Sequence, residues 1–265
     1  MVGDSRRNDL RRTVERGDVA LGVLDAVFSP SLVELLGDLG FDFVWLDFEH
    51  GGPSPWDGER LEDLLRAADA SGTELLVRVP SPDPAMVRKV LDAGVRNVFV
   101  SRIETPAEVE RVVEAGRFAT DEGAGTRGLA APRASRWGLE MDTYPEVEDE
   151  EVVIGVTIET LEAVENIDAI LDVPDLGFVF VGPNDLSVAV GEPGNRAHPD
   201  VTAAVEEVRT AALDRDVPLG NLSFGVEDAL EKAAQGYQIL HVGSTTGALS
   251  AHFKSWQAEF EERRG

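Results

Sequence analysis

The chain has 265 residues, 43 % of them hydrophobic, and carries 50 Asp and Glu against 24 Lys and Arg, for a formal charge of −26. Such a polyanion repels phosphate backbones instead of releasing their counterions, which argues against nucleic-acid partners. The absence of cysteine excludes disulfides, thiolate metal sites and cysteine nucleophiles. There is neither an 18-residue apolar run nor a signal-peptide pattern, so a soluble, cytoplasmic protein without membrane association is expected. Lysines are only three (Lys89, Lys232, Lys254) against 21 arginines. The acidic excess reads as adaptation to high salt, where screening removes self-repulsion.

In chain order, residues 1–18 form a charged N-terminal segment. Short β-branched apolar runs then alternate with amphipathic stretches of helical period. The predicted strands are 20–24, 42–48, 74–79, 97–100, 152–158, 177–181, 217–221 and 238–242. The helices that follow them are 31–39, 57–71, 83–93, 105–117, 160–171, 199–214, 225–235 and 246–262. Caps agree with these ends: Thr105, Pro106 and Glu108 match an N-terminal capping box, and Gly94 and Gly236 sit where helices stop. Residues 118–150 are too long for a routine connection and are expected to be a functional or interface insert. Eight strand–helix units close most naturally into a (β/α)8 TIM barrel, read as one domain over 1–265.

In that architecture chemistry gathers at the C-terminal ends of the strands. Asp47, Glu49 and His50 end the second strand, Arg78 the third and Glu159 the fifth; the sixth runs into GPNDLS with Asp185. Val153, Gly155, Thr157 and Glu159 share parity, which turns Glu159 towards the barrel mouth. Two carboxylates without clustered His form a hard oxygen pair suited to Mg2+ or Mn2+. Equally, Glu159 suits the start of the next helix by its charge and Asp185 suits a cap. Arg78 ends a buried run and requires an anion, either a substrate carboxylate or a barrel carboxylate. His50 reads as a general base oriented by Asp47, or as a plain turn residue. Glu49 fits a salt bridge with a nearby arginine. All three lysines fall in predicted helices, which argues against Schiff-base chemistry. HVGSTTGA (241–248) is a loose match to a phosphate-binding turn.

Taken together, GFDFVWLDFEH, LLVRVP, GTRGLAAPRASRWG, VTIETLEAVENIDAIL and FVGPNDLSVAVG resemble, in order and from about residue 20 to 250, the HpcH/HpaI aldolase/citrate lyase family. The resemblance implies a metal-dependent (class II) lyase that reversibly cleaves a 4-hydroxy-2-keto acid to pyruvate, or a similar 2-keto acid, and an aldehyde through a metal-stabilised enolate. It implies Glu159 and Asp185 as metal ligands, for Mg2+ or Mn2+ with Co2+ as a further candidate. Arg78 becomes the keto-acid contact, His50 with Asp47 the acid–base dyad, and Gly182, Pro183 and Ser187 the turn that holds the substrate. A homo-oligomer, trimeric or hexameric, with the C-terminal helix exchanged between subunits is also implied. The chain departs from the family pattern at Leu24 (often Trp), Ser101-Arg102 (often Pro-Met), Thr157 (often Gln) and Thr245 (often Asp), changes that bear on the aldehyde. Arg102 suits an acidic substrate tail or a surface pair with Glu104. The other readings are a citrate-lyase- or malyl-CoA-type lyase acting on a thioester, for which no basic CoA patch is evident, and a non-catalytic keto-acid-binding barrel.

Overall fold

A computed structural model describes residues 7–120 and 123–265; residues 1–6 of the N-terminal segment and 121–122 of the insert lie outside the described residues. Eight parallel strands close a barrel: β1 (Ala20–Leu24), β2 (Phe43–Asp47), β3 (Glu74–Val79), β4 (Asn97–Val100), β5 (Val153–Ile158), β6 (Phe178–Val181), β7 (Leu219–Leu222) and β8 (Ile239–Ser244). Each pairs with its neighbours in chain order, and β8 closes on β1. The helices are α1 (Asp9–Glu15), α2 (Pro30–Asp38), α3 (Gly58–Ser71), α4 (Pro84–Ala93), α5 (Pro106–Ala115), α6 (Tyr144–Glu151), α7 (Leu161–Glu165), α8 (Ile167–Leu171), α9 (Pro183–Ala189), α10 (Pro199–Leu213), α11 (Val226–Ala234) and α12 (Thr245–Arg264). Among the described residues no helix is long and apolar enough to cross a membrane.

The eight expected strands all form, and the (β/α)8 architecture follows from them. Two cores result from period-two alternation. Outward aliphatics such as Val44, Leu46, Val77, Val98, Val156 and Val179 pack under the helices. Inward residues Phe43, Trp45, Leu76, Phe99, Phe178 and Phe180 fill the barrel. These rings fit because each of three faces a glycine in register: Phe43 opposite Gly22, Phe178 opposite Gly155 and Phe180 opposite Gly220. A Cβ on any of those glycines would lie 2.3–2.4 Å from the ring.

The N-terminal segment is more structured than expected. Asn8 caps α1 by accepting the Arg11 N–H (3.1 Å) and donates to Asn97 Oδ1 (2.6 Å) at the start of β4. Arg12 forks onto Glu151 at 2.9 and 2.6 Å, and Leu10 enters the inner core. Helix α1 thereby plugs the N-terminal end of the barrel. Within the 118–150 insert lie a short hairpin, a 3-10 turn and α6. The stretch expected as one helix over 160–171 divides into α7 and α8 at Asn166, whose side chain donates to the Glu104 carbonyl (2.9 Å).

Candidate active site

At the C-terminal end of the barrel, Asp47 and Arg78 are register partners on adjacent strands with the same inward parity. The guanidinium therefore meets the carboxylate side-on, Nε to Oδ1 at 2.8 Å and Nη2 to Oδ2 at 2.6 Å. Arg78 also reaches Glu49 through Nη1 (3.0 Å) and lies over the Trp45 ring (5.1 Å). Burial opposes ionisation of Asp47, but the bonds from Arg78 outweigh it and hold the carboxyl below its usual value. Burial likewise works against the Arg78 charge, and Asp47 more than restores it.

The Asp47 carboxylate was expected to orient His50, and His50 does act on it by charge. The side-chain hydrogen bonds of Asp47 go to Arg78 and not to His50, because the strand register aligns the two before the chain turns out towards residue 50. The acid beside His50 is Glu49, whose Oε2 lies 3.5 Å from Nε2. That same oxygen accepts the Ser101 hydroxyl (2.7 Å). Glu49 thus joins His50, Arg78 and β4, a role the sequence left as an unspecified salt bridge. His50 itself is well exposed at the mouth.

Glu159 follows β5, is almost fully buried, and accepts the Arg102 backbone N–H with Oε1 (2.8 Å). Arg102 takes a left-handed φ of 59°, an unusual conformation for a non-glycine residue, and this aims its amide inward. Its side chain is exposed, and the expected pair with Glu104 does not form among the described residues. Burial first, then the charge of Glu49, raises the Glu159 carboxyl to about 7; Asp185 adds to the effect. A Cβ at Gly182 would fall 3.1 Å from Glu159 Oε2, so this glycine lets β6 approach the carboxylate.

In the GPNDLS turn, Gly182 donates its N–H to the Ile158 carbonyl (2.9 Å), and Pro183 has none to give. The Ser187 hydroxyl donates to the Asn184 carbonyl (2.5 Å) and accepts from Gly194 (2.9 Å). The bonds of Ser187 thereby fix the turn, and the first-turn amides that lack an intrahelical acceptor belong to Asn184 and Asp185. One layer deeper, Trp45 Nε1 and Thr157 Oγ1 are buried without partners among the described residues.

Sequence reasoning passed over Asp25. Fully buried after β1, it accepts the N–H groups of Val27 (3.0 Å) and Ser29 (3.1 Å) and the Thr245 hydroxyl (3.0 Å). It ties the first loop of the mouth to the start of α12. An Asp directly after an apolar strand and ahead of a turn was the available signal.

Hard carboxylate oxygens from Glu159 and Asp185, with Glu49 nearby, suit a divalent cation. Among the described residues no group of three or more His, Asp or Glu is placed to hold an ion unaided. A two-carboxylate set completed by water and substrate fits that arrangement.

The sequence profile of the HpcH/HpaI aldolase/citrate lyase family matches residues 22–251. The chain belongs to this family. A 5-keto-4-deoxy-D-glucarate aldolase of Shigella dysenteriae is 32 % identical over 250 residues, covering 94 % of this chain and 95 % of the relative. A solved HpcH/HpaI family protein of Burkholderia cenocepacia superposes with a TM-score of 0.87 at 29 % identity, over 97 % of this chain and all of that one. The structure of the citrate synthase SbnG gives 0.84 at 28 % identity over 96 % and 98 % of the two chains. As a member of the HpcH/HpaI family, this chain is a carbon–carbon lyase of the aldolase kind on a TIM barrel.

Proposed function

We propose that the protein is a divalent-metal-dependent aldolase that reversibly cleaves a 4-hydroxy-2-keto acid to pyruvate, or a related 2-keto acid, and an aldehyde. The observation that carries this reading is the convergence of Glu159, Arg78 and the Glu49–His50 pair at one barrel mouth. Glu159 and Asp185 would hold Mg2+, Mn2+ or Co2+, which when bound supplies Lewis acidity to the keto acid. Arg78, fixed by Asp47 and Glu49, sets positive charge against the keto-acid oxygens. His50, with Glu49 behind it, takes the proton from the C4 hydroxyl as the C3–C4 bond breaks. The electron pair of that bond passes into the enolate of the 2-keto acid, and a proton delivered to C3 releases pyruvate. Gly182 and Pro183, in a turn that Ser187 braces through the Asn184 carbonyl, would form the wall that keeps the keto acid against Glu159.

The name of the Shigella relative supports a hydroxylated keto diacid of the 5-keto-4-deoxy-glucarate class as substrate, with the exposed Arg102 near its distal carboxylate. A thioester reaction of the citrate-lyase type is less supported, because the Shigella relative, 32 % identical over 94 % of this chain, is named as an aldolase. In high salt with Mg2+ or Mn2+, the protein should exchange the methyl protons of pyruvate for deuterium. EDTA, Glu159→Gln and Asp185→Asn should each abolish that exchange; exchange surviving without metal would overturn the mechanism.

We further infer a single-domain, cytoplasmic, salt-adapted homo-oligomer without nucleic-acid or membrane partners. Its charge of −26 supports the salt adaptation. Exposed Leu129, Trp137 and Leu139 in the 118–150 insert, and an apolar stripe on α12, support assembly.

A further inference from the structure

At the end of the barrel opposite the mouth, where β5 to β8 begin, lies a cavity of 540 Å3 that the aldol reaction does not use. Its inner wall is apolar, formed by Leu10, Phe178 and Ile239. Arg117, just after α5, lines the same cavity. This arginine is 7 % exposed, and its Nη1 is buried with no hydrogen-bond partner among the described residues.

The neighbouring carboxylates make no hydrogen bond to it. Asp149 and Asp175 act on the guanidinium by charge alone, without a hydrogen bond. The Asp149 oxygens already accept the amides of Phe118 (2.7 Å) and Ala119 (3.0 Å). The other cation on the wall, Arg11, is paired with Glu15 at 2.6 Å. Burial pushes the Arg117 pKa down, yet a guanidinium stays protonated in a protein. A buried cation with an unsatisfied nitrogen is costly unless an anion meets it. Water would satisfy the donor and leave the charge.

We propose that this cavity binds a small monocarboxylate with an apolar body, its carboxylate on Arg117 and its body against Leu10, Phe178 and Ile239. A planar monoanion matches the guanidinium fork. The acidic rim of Asp149, Asp175 and Asp216 repels a doubly charged phosphate more strongly than a single carboxylate. The volume falls within the range of about 300–1,000 Å3 common for small-molecule sites. This site is independent of the aldolase reading.

The test is thermal unfolding of the full chain at constant high salt with butyrate, benzoate, inorganic phosphate or extra chloride. Asp185→Asn, which weakens binding at the mouth, serves as the second background. A carboxylate at about ten times its Kd should raise the midpoint by about 2–4 °C in both backgrounds, saturably, while phosphate and chloride at equal ionic strength should not. Arg117→Met should remove that rise and raise the ligand-free midpoint, because it deletes a buried charge whose Nη1 has no hydrogen-bond partner among the described residues. Should Arg117→Met not fold, Arg117→Lys should bind benzoate at least tenfold more weakly. Absence of any carboxylate effect in the wild type, persistence of the full effect in either Arg117 variant, or an equal effect of phosphate would overturn the proposal.

Discussion

Individual side chains show where local sequence is informative about a site and where it is not. Asp47, Arg78 and Glu159 were legible because a charged residue ending an apolar strand of known parity has one direction to point. Their pairing was not legible, since the register between β2 and β3 sets it and register is not written in either strand alone. The Arg102 amide on Glu159 was hidden for a related reason: a backbone donor carries no residue-type signal. At the other end of the barrel, Glu74 makes a prediction of its own. Its Oε1 accepts the Asp9 N–H (2.9 Å) and its Oε2 faces the Asn97 amide (3.3 Å). Burial raises its carboxyl from 4.5 to about 7 against the help of that Asp9 bond. The folded state therefore favours the protonated form. Its stabilising contribution is full below the unfolded value of 4.5 and is lost as pH rises through about 7. Unfolding midpoints taken between pH 5 and 8 should show this decline, and Glu74→Gln should flatten it and stabilise the protein at pH 8 by about 1–3 kcal/mol. A variant that tracks the wild type across that range would remove Glu74 as the cause.

Elements were more readable than contacts. All eight strands follow from short β-branched runs bounded by turn residues, because a parallel strand covered on both sides has no polar face to confuse the pattern. Helices with one apolar face and a clear cap, such as α4 and α5, likewise lie within two or three residues of expectation. Helix α1 escaped because its order comes from Asn97 and Glu151, 89 and 143 residues away. The short helices α6 and α9 escaped because neither offers two full turns of apolar period. Inside the barrel the pairing of large and small residues is the feature most open to test. Gly155→Ala would set a Cβ 2.4 Å from the Phe178 ring, and that fully buried ring has nowhere to retreat in a packed interior. The substitution should cost about 1–3 kcal/mol in denaturant unfolding. Gly128→Ala, at an exposed position with no heavy atom within 4 Å of the new Cβ, should change stability by less than about 1 kcal/mol. Equal costs at the two positions would mean that ring and glycine do not depend on each other as drawn.

At the scale of the whole molecule, α12 stands apart. Its 20 residues leave the barrel after Thr245 and every later position is exposed. Leu249, Phe253, Trp256 and Phe260 are 44–62 % exposed and recur at spacings of four, three and four, which aligns them on one face. A solvated helix of this length gains little stability from its own hydrogen bonds, so a stripe of large apolar side chains requires a surface to cover it. A second copy is the occupant we propose. Charge then sets the conditions: every copy brings a formal −26, and in dilute buffer that repulsion opposes association, whereas at high ionic strength it is screened within a few ångströms. Sedimentation in high salt should therefore give a species larger than the 28.6 kDa chain, and lowering the salt should dissociate it before the barrel unfolds. Trp256→Glu combined with Phe260→Glu should yield monomer even in high salt, with part of the helical signal lost as the released α12 frays and the barrel retained. A wild-type chain that sediments as a monomer at every salt concentration would show that α12 needs no second copy, and would leave its apolar face to another partner.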